Sequence, residues 1–499
     1  MKLSKSKYCL GFQCKKILWL NKNKPEERQE IDNEAVLENG TNVGELAKQL
    51  LGEHVDVEFS ENLSEMIKST KECIDRHDNI TITEASFDYD DNFCSVDLLK
   101  KNGNKYEIYE VKSSTSVKDI YREDASYQYY VLRSLGYDVT RVCVVTLDSS
   151  YERGEELDLH KLFKINDITE YAQERFSTIR KDIAQIKEEG DQEEELQIPI
   201  SEHCFKPYEC PFFQYCLGLK EKNVFDLRRV NIKKKFELYN QGFRTFSELM
   251  SSSLSNKLKM QIDFILNNRP DLINYDKIDE FLSTLTLPLY FLDFETFQQS
   301  VPLFKGTHPY EQIPFQYSLH FYTENKELAH KEFLAEADID PRRSLAESLV
   351  RDIPRDVCVV AYNMSFERSV IKNLARLYPD LREHLLSIES NIKDLMKPFY
   401  NYDYYSKEMQ GSYSIKYVLP ALYPNDPSLN YHNLEQVHNG SEAMATYASL
   451  GQYSKEEQQI IRRNLLEYCK LDTYAMVKIY DRLIEIQRNR PNVRNRHHC

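Results

Sequence analysis

Hydrophobic positions recur at two different spacings along this chain, and the points where the spacing changes mark its parts. Up to residue 78 the spacing is helical. Cys14-Lys-Lys-Ile-Leu-Trp-Leu carries the single Trp, Val43-Gly-Glu-Leu-Ala-Lys-Gln-Leu-Leu follows, and the pattern runs on through 61–78. From residue 80 the period is two: 80–87, 93–99 and 106–112 read as successive strands, with Asn-Gly turn chemistry at 102–104. A helix is expected over 121–135, stopped by Gly136, then a strand over 139–147. An acidic helical stretch, 166–196, leads to three closely spaced cysteines, and 225–285 is charged and helical. Its basic residues, Arg228-Arg229 and Lys233 to Lys235, read as a solvated helical face. A second block opens with the apolar strand 288–297, followed by a strand over 315–322, a helix near 341–352 and a strand over 357–362. A helix with apolar positions at Val370, Ile371, Leu374 and Leu377 comes next, and helical stretches continue to 461–486. The expected organisation is a first domain over 1–224, a helical connector over 225–285, a second domain over 286–490 and a basic tail over 491–499.

Composition narrows the classes. The 499 residues suffice for two to four domains, and 41% hydrophobic content is that of a globular chain. No apolar run reaches membrane-spanning length, and the basic N-terminus lacks the apolar core of a signal peptide. A cytoplasmic protein without a membrane partner is therefore expected, in which eleven cysteines point to metal binding or to core positions rather than to disulfides. A net charge of −15 argues against a surface coated for polyanion binding, but leaves room for a local basic groove.

Candidate chemistry begins at Asp293 and Glu295. Two residues apart on a strand, they emerge on one face, and paired carboxylates at the end of a core strand disfavour each other's ionisation. A divalent cation removes that cost, and hard oxygen ligands suit Mg²⁺ or Mn²⁺. Taken alone, the pair reads first as an acid pair at a strand edge facing water, and the metal reading depends on what lies downstream.

A second set lies at Asp97, Glu110 and Lys112, on neighbouring strands. Two carboxylates can hold Mg²⁺ or Mn²⁺ against a scissile phosphate while an ammonium positions the attacking water. Glu84, on the preceding strand, could add a carboxylate, and Gln128, on the following helix, could orient nucleic acid or water. These residues resemble the PD-(D/E)XK nucleases, in particular the RecB-like branch that includes CRISPR-adaptation nucleases. That branch often places Tyr four residues after the Gln, whereas here Tyr129 and Tyr130 follow it directly.

Cys204, Cys210 and Cys216 fall within thirteen residues, with Pro207 and Pro211 between them. Thiolates so placed repel unless a soft metal holds them, and zinc or unligated thiols are the alternatives the residues leave open. With the distant Cys14, the set is similar to that of iron–sulfur-stapled RecB-like nucleases. The resemblance implies Cys14, Cys204, Cys210 and Cys216 as ligands of a [4Fe–4S] cluster with a structural role, Cys9 being a nearby competitor for Cys14. Cys73, Cys94, Cys143, Cys358 and Cys469 lie in apolar periodic segments and read as core residues.

Downstream of Asp293 the strand at 357–362 breaks at Asn363-Met-Ser-Phe-Glu367, where Ser365 is the expected N-cap and Glu367 falls in the first helical turn. Tyr468 and Asp472, four apart on a helix, share a face. D-x-E, N-x-x-F-E and Y-x-x-x-D in this order resemble the DEDDy exonucleases of RNase H-like, DnaQ-type fold, with Glu367 where that family usually carries Asp. The resemblance implies a site in which Asp293, Glu295 and Asp472 hold one metal ion and Asp293 also touches a second. Glu367 would act through water, and Tyr468 would orient the attacking water. Asp394 could offer a further carboxylate, and residues 413–419 resemble the substrate-side segment. The whole order is similar to an uncharacterised bacterial family, a domain of unknown function fusing the two modules. The expected protein is α/β: a PD-(D/E)XK restriction-endonuclease-like domain and an RNase H-like exonuclease domain joined by a helical connector. It would cleave phosphodiester bonds of DNA, at single strands or ends, in repair or defence. The rival readings are one module acting as a silent nucleic-acid clamp, or a non-enzymatic iron–sulfur or zinc adaptor.

Overall fold

The alternation that begins near residue 80 builds the centre of a seven-stranded mixed sheet. In the computed structural model, which describes residues 1–30, 42–429, 433–434 and 437–491, its strands are β1 (Leu3–Ser4), β2 (His54–Asp56), β3 (Asn79–Tyr89), β4 (Asn92–Asn102), β5 (Lys105–Val111), β6 (Asp138–Leu147) and β7 (Phe163–Asp167). They lie in the order β2-β3-β4-β5-β6-β7, with β1 alongside β4. β3, β4 and β5 form an antiparallel meander whose second turn places Gly103 at φ 59°, a left-handed conformation that costs glycine little. β6 returns parallel to β5 after the helix Asp119–Ser134, which packs its Ala125, Tyr127 and Val131 against Ile108 and Val144 of the sheet. The opposite face carries a smaller core around Leu98, Tyr109 and Val145. β7, where no strand was expected, is a five-residue edge whose ladder with β6 supplies what its weak alternation does not.

This sheet and its helices form one unit, Met1–Lys220 together with Gln299–Glu311; the second unit is Glu221–Gln298 and the chain from Gln312 onward. Within the first unit the 299–311 excursion docks by Tyr310 Oη donating to Ser113 O (2.8 Å) and by backbone bonds between Arg153 and the pair Gly306 and Thr307.

The second unit contains β8 (Leu272–Ile273), β9 (Leu289–Phe297), β10 (Ile313–Tyr322), β11 (Leu328–Leu334), β12 (Cys358–Ala361), β13 (Ile392–Asp394) and β14 (Tyr404–Tyr405). Its main sheet runs β11-β10-β9-β12-β13, antiparallel across the first three strands and parallel from β9 to β13; β8 and β14 pair apart. β9 is central and covered on both sides. Leu289 and Phe291 pack toward the 34-residue helix Lys455–Arg488, while Tyr290, Leu292 and Phe294 pack toward the helices Arg342–Asp352 and Ser365–Leu377. Burying five such side chains is worth on the order of 10 kcal/mol, which offsets the cost of carrying carboxylates into this core.

The 225–285 stretch belongs to the second unit. Its helices Ile232–Asn240, Phe246–Leu249 and Asn256–Leu266 share a small core around Leu238, Phe246 and Ile262, and Ile278 of Tyr275–Leu282 joins the core beneath β9. Arg228 and Arg229 do not lie on a helix. Arg229, at φ 62°, sits over the rings of Tyr402 (4.4 Å) and Tyr413 (4.3 Å) and donates to Tyr400 O at 3.0 Å. The helical part of the reading thus fails for this pair, while both side chains stay exposed to solvent and tyrosine rings provide their cation–π partners. Among the described residues no helix is long and apolar enough to cross a membrane. The expected basic tail lies outside them, except for Pro491.

Candidate functional site

In the second unit, Asp293 and Glu295 lie on one face of β9, the face toward the long helix. That helix is fixed over the strand by β10: Gln316 Nε2 donates to Leu465 O (2.8 Å), and the Ser318 and Thr473 hydroxyls meet at 2.7 Å. Tyr468, Cys469 and Asp472, all buried, fall between those two anchors. Asp293 is consequently pushed well above the usual carboxylate range, first by burial and then by the charges of Asp472, Glu295 and Glu367. Burial and Asp472 raise Glu295 to about 8, against the pull of Lys416. Glu367 also rises to about 8, by burial and Asp394, and its Oε2 has no hydrogen-bond partner. The sequence motifs 293–295, 367 and 468–472 are thus brought to one place.

The surroundings add what sequence reading missed. The Cys469 thiol points at Asp293 Oδ2 (3.8 Å), and Asp293, Glu295 and Cys469 each place a ligand atom within 4.8 Å of the others. The core reading of Cys469 is therefore incomplete: it is buried, but at the acid cluster. Gly440, which opens the helix Gly440–Ala448, neighbours Glu295: a Cβ there would stand in ordinary contact, 3.6 Å from Oε2. Ser365 does not cap its helix. The helix starts at Ser365, and the turn before it is closed instead by Asp394, whose Oδ1 accepts from Asn363 N and Met396 N, both at 3.0 Å. Asp394 thus holds the backbone through Oδ1, and its charge also raises Glu367.

In the first unit, Asp97, Glu110, Lys112 and Gln128 also meet. Glu110 is fully buried; Lys112 Nζ donates to its Oε1 (2.6 Å) and Gln128 Nε2 to its Oε2 (2.7 Å). Asp97 Oδ2 accepts from Val111 N at 2.7 Å. Glu84 falls where the β3–β4 ladder skips a pair, between Thr83–Leu98 and Ala85–Val96, at φ 54°. Its carboxyl, on an exposed residue midway along β3, is raised to about 7 by desolvation and then by Asp97. Two participants were not anticipated. Asp124, one turn before Gln128, accepts from Lys112 at 2.7 Å, and its signal was the i, i+4 spacing to Gln128. Lys5 reaches Asp97 and Glu110 from the N-terminus with no local sign in the sequence.

Cys14, Cys204, Cys210 and Cys216 form a third site, in the same unit. Burial raises Cys204 to about 11 and Cys210 to about 12, and on Cys210 the charges of Cys204, Cys14 and Cys216 add to it. Cys14 heads the helix Lys15–Asn23, where the N–H groups of Lys16 and Ile17 work against burial to favour its thiolate. No three of these sulfurs fall within 4.8 Å of one another among the described residues. Four thiols brought together are a soft donor set, which suits a soft metal centre, zinc or iron–sulfur.

Three comparisons bear on the chain. A family model described as "Domain of unknown function (DUF2779)" matches residues 290–414, the stretch holding Asp293, Glu295 and Glu367. The "Uncharacterized protein MG366" of Mycoplasma genitalium is 25% identical over 261 residues, covering 48% of this chain. The chain spans 39% of that relative's length. No solved structure matches it.

Proposed function

We propose that the protein is a metal-dependent nuclease with a 3′-trimming site in the second unit and a PD-(D/E)XK-type site in the first. One observation carries the reading: Asp293 and Glu295 of β9, Glu367 and Asp472, from two helices, converge in a buried place where burial and neighbouring acids oppose the ionisation of Asp293, Glu295 and Glu367. Such an arrangement is stabilised by cations bound among Asp293, Glu295 and Asp472. Bound there, Mg²⁺ or Mn²⁺ would supply Lewis acidity toward a phosphate and a water of lowered pKa. Tyr468, one turn before Asp472, would orient that water, and Glu367 would hold it through its unpartnered Oε2. Lys416, whose charge already reaches Glu295, would meet the phosphate from the other side. The strand order β11-β10-β9-β12-β13 supports the RNase H-like reading of this unit, and the β3–β5 meander followed by a helix and a parallel β6 supports the restriction-endonuclease-like reading of the other.

In the first unit Asp97 and Glu110 would hold the cation, and Lys112 would position the water. The cysteines would hold a [4Fe–4S] cluster rather than zinc, a reading that rests on the resemblance of one distant and three closely spaced cysteines to those of iron–sulfur-stapled RecB-like nucleases. The test uses single-stranded DNA labelled at either end, with Mn²⁺. Asp293→Asn is expected to abolish loss of the 3′ label, and Lys112→Ala to abolish the remaining cleavage. Cleavage unchanged in both variants refutes the assignment.

A further inference from the structure

The acids of the first unit are met by two ammonium groups, one more than the proposed chemistry requires. Lys112 already binds Glu110 and Asp124. Lys5 Nζ adds three contacts: 3.3 Å to Asp97 Oδ1, and 3.0 and 3.2 Å to the two oxygens of Glu110. Asp97 Oδ2 accepts from Val111 N–H, and its other oxygen, Oδ1, faces Lys5. The backbone beneath Lys5 is held. Leu3 and Ser4 pair with Asn92 and Phe93 of β4, Ser4 Oγ caps the helix Lys5–Gln13 through Lys7 N, and Tyr8 Oη donates to buried Glu123 at 3.0 Å. The Lys5 ammonium is therefore a fixed part of the site on a flexible four-carbon stem.

We propose that Lys5 is a tethered competitor of the divalent cation: its ammonium holds Asp97 Oδ1 and Glu110 in the cation's place, and a metal ion enters the first unit only by displacing it. A cation held by Asp97 and Glu110 would compete for oxygens that Lys5 now contacts at 3.0–3.3 Å. The arrangement keeps a buried carboxylate compensated whether or not metal is bound, and makes metal entry release a positive side chain into the cleft, where an anionic substrate would meet it. The inference rests on the reading of this unit as a metal site.

Mn²⁺ titration calorimetry on the full chain separates the two. With Asp293→Asn and Asp472→Asn in the background, the remaining hard-cation site is that of the first unit. Lys5→Ala is expected to tighten Mn²⁺ binding about tenfold or more, since a competing unit charge at contact is worth over an order of magnitude even when well screened. Lys5→Gln, which keeps most of the stem, should do the same, and Lys5→Arg should not. In EDTA, Lys5→Ala should melt below the parent, and Mn²⁺ should close the gap. Mn²⁺ binding that is lost in Asp97→Asn but unchanged or weakened in both Lys5→Ala and Lys5→Gln overturns the competitor. Absence of binding in every variant overturns the metal-site reading with it, and leaves the first unit a cation-free clamp.

Discussion

Replacing Glu295 by Gln isolates the electrostatic cost stored at the acid cluster. Glu295 rises from an ordinary 4.5 to about 8 through burial and Asp472. At about 1.4 kcal/mol per pH unit, an ionised Glu295 costs the folded state about 5 kcal/mol when no cation is bound. Between those two pH values the folded chain binds more protons than the unfolded one, so stability present below pH 4.5 is lost as pH rises through about 8. Glu367 adds a drift of the same sign over the same window. In EDTA the wild-type second unit should melt at markedly lower temperature at pH 8.5 than at pH 6. Glu295→Gln, which cannot ionise, should recover much of that loss, on the order of 10 °C for a unit of this size. Mn²⁺ should stabilise the wild type more at pH 8.5 than at pH 6, and Glu295→Gln far less than the wild type. Calorimetric scans at both pH values check this. A Glu295→Gln variant that melts at or below the wild type at pH 8.5 in EDTA refutes the reasoning, because the carboxylate would then be compensated by the protein itself.

Asp472→Asn should reduce Mn²⁺-dependent loss of a 3′ label by about a hundredfold or more while leaving the fold intact by circular dichroism, as expected when a group aimed at the reacting phosphate is removed. Glu110→Ala strands Lys5, Lys112 and Gln128 around a buried void and should cost the first unit about 3–5 kcal/mol in urea unfolding. Arg229→Ala should lower the stability of the second unit by about 1–2 kcal/mol without altering its Mn²⁺ affinity, since the guanidinium's partners are tyrosine rings and backbone carbonyls. Cys210→Ser should remove the visible absorption of anaerobically purified protein; a colourless wild type containing stoichiometric zinc would reverse the cofactor assignment.

What was legible in the sequence was what is encoded at short range. Period-two alternation put Asp293 beside Glu295 and Glu110 beside Lys112, because strand geometry leaves no other arrangement. Helical spacing likewise put Tyr468 and Asp472 on one face. The participants that escaped notice depend on distant pairing. Lys5 meets partners 92 and 105 residues away, and nothing near it in the chain distinguishes it from a surface lysine. Cys469 sits in an apolar run, so its small size suggested packing when its neighbour across the core is a carboxylate. Ser365 had the right residue type for a cap, but Asp394 had already closed the turn from β13. The short strands β7 and β11 lack strong alternation and owe their form to the neighbours that pair with them.

The 299–311 excursion bears on how the molecule is made. Domains emerging from the ribosome generally fold in order, the earlier one first. Here the earlier one cannot be finished when residue 220 appears, because Val301, Thr307 and Tyr310 still have to dock on it. Translation must first produce β9, the opening strand of the next main sheet. The strand that carries Asp293 and Glu295 is therefore synthesised while the N-terminal fold still waits for its last piece, and a nascent chain stalled between residues 220 and 299 would hold neither part complete.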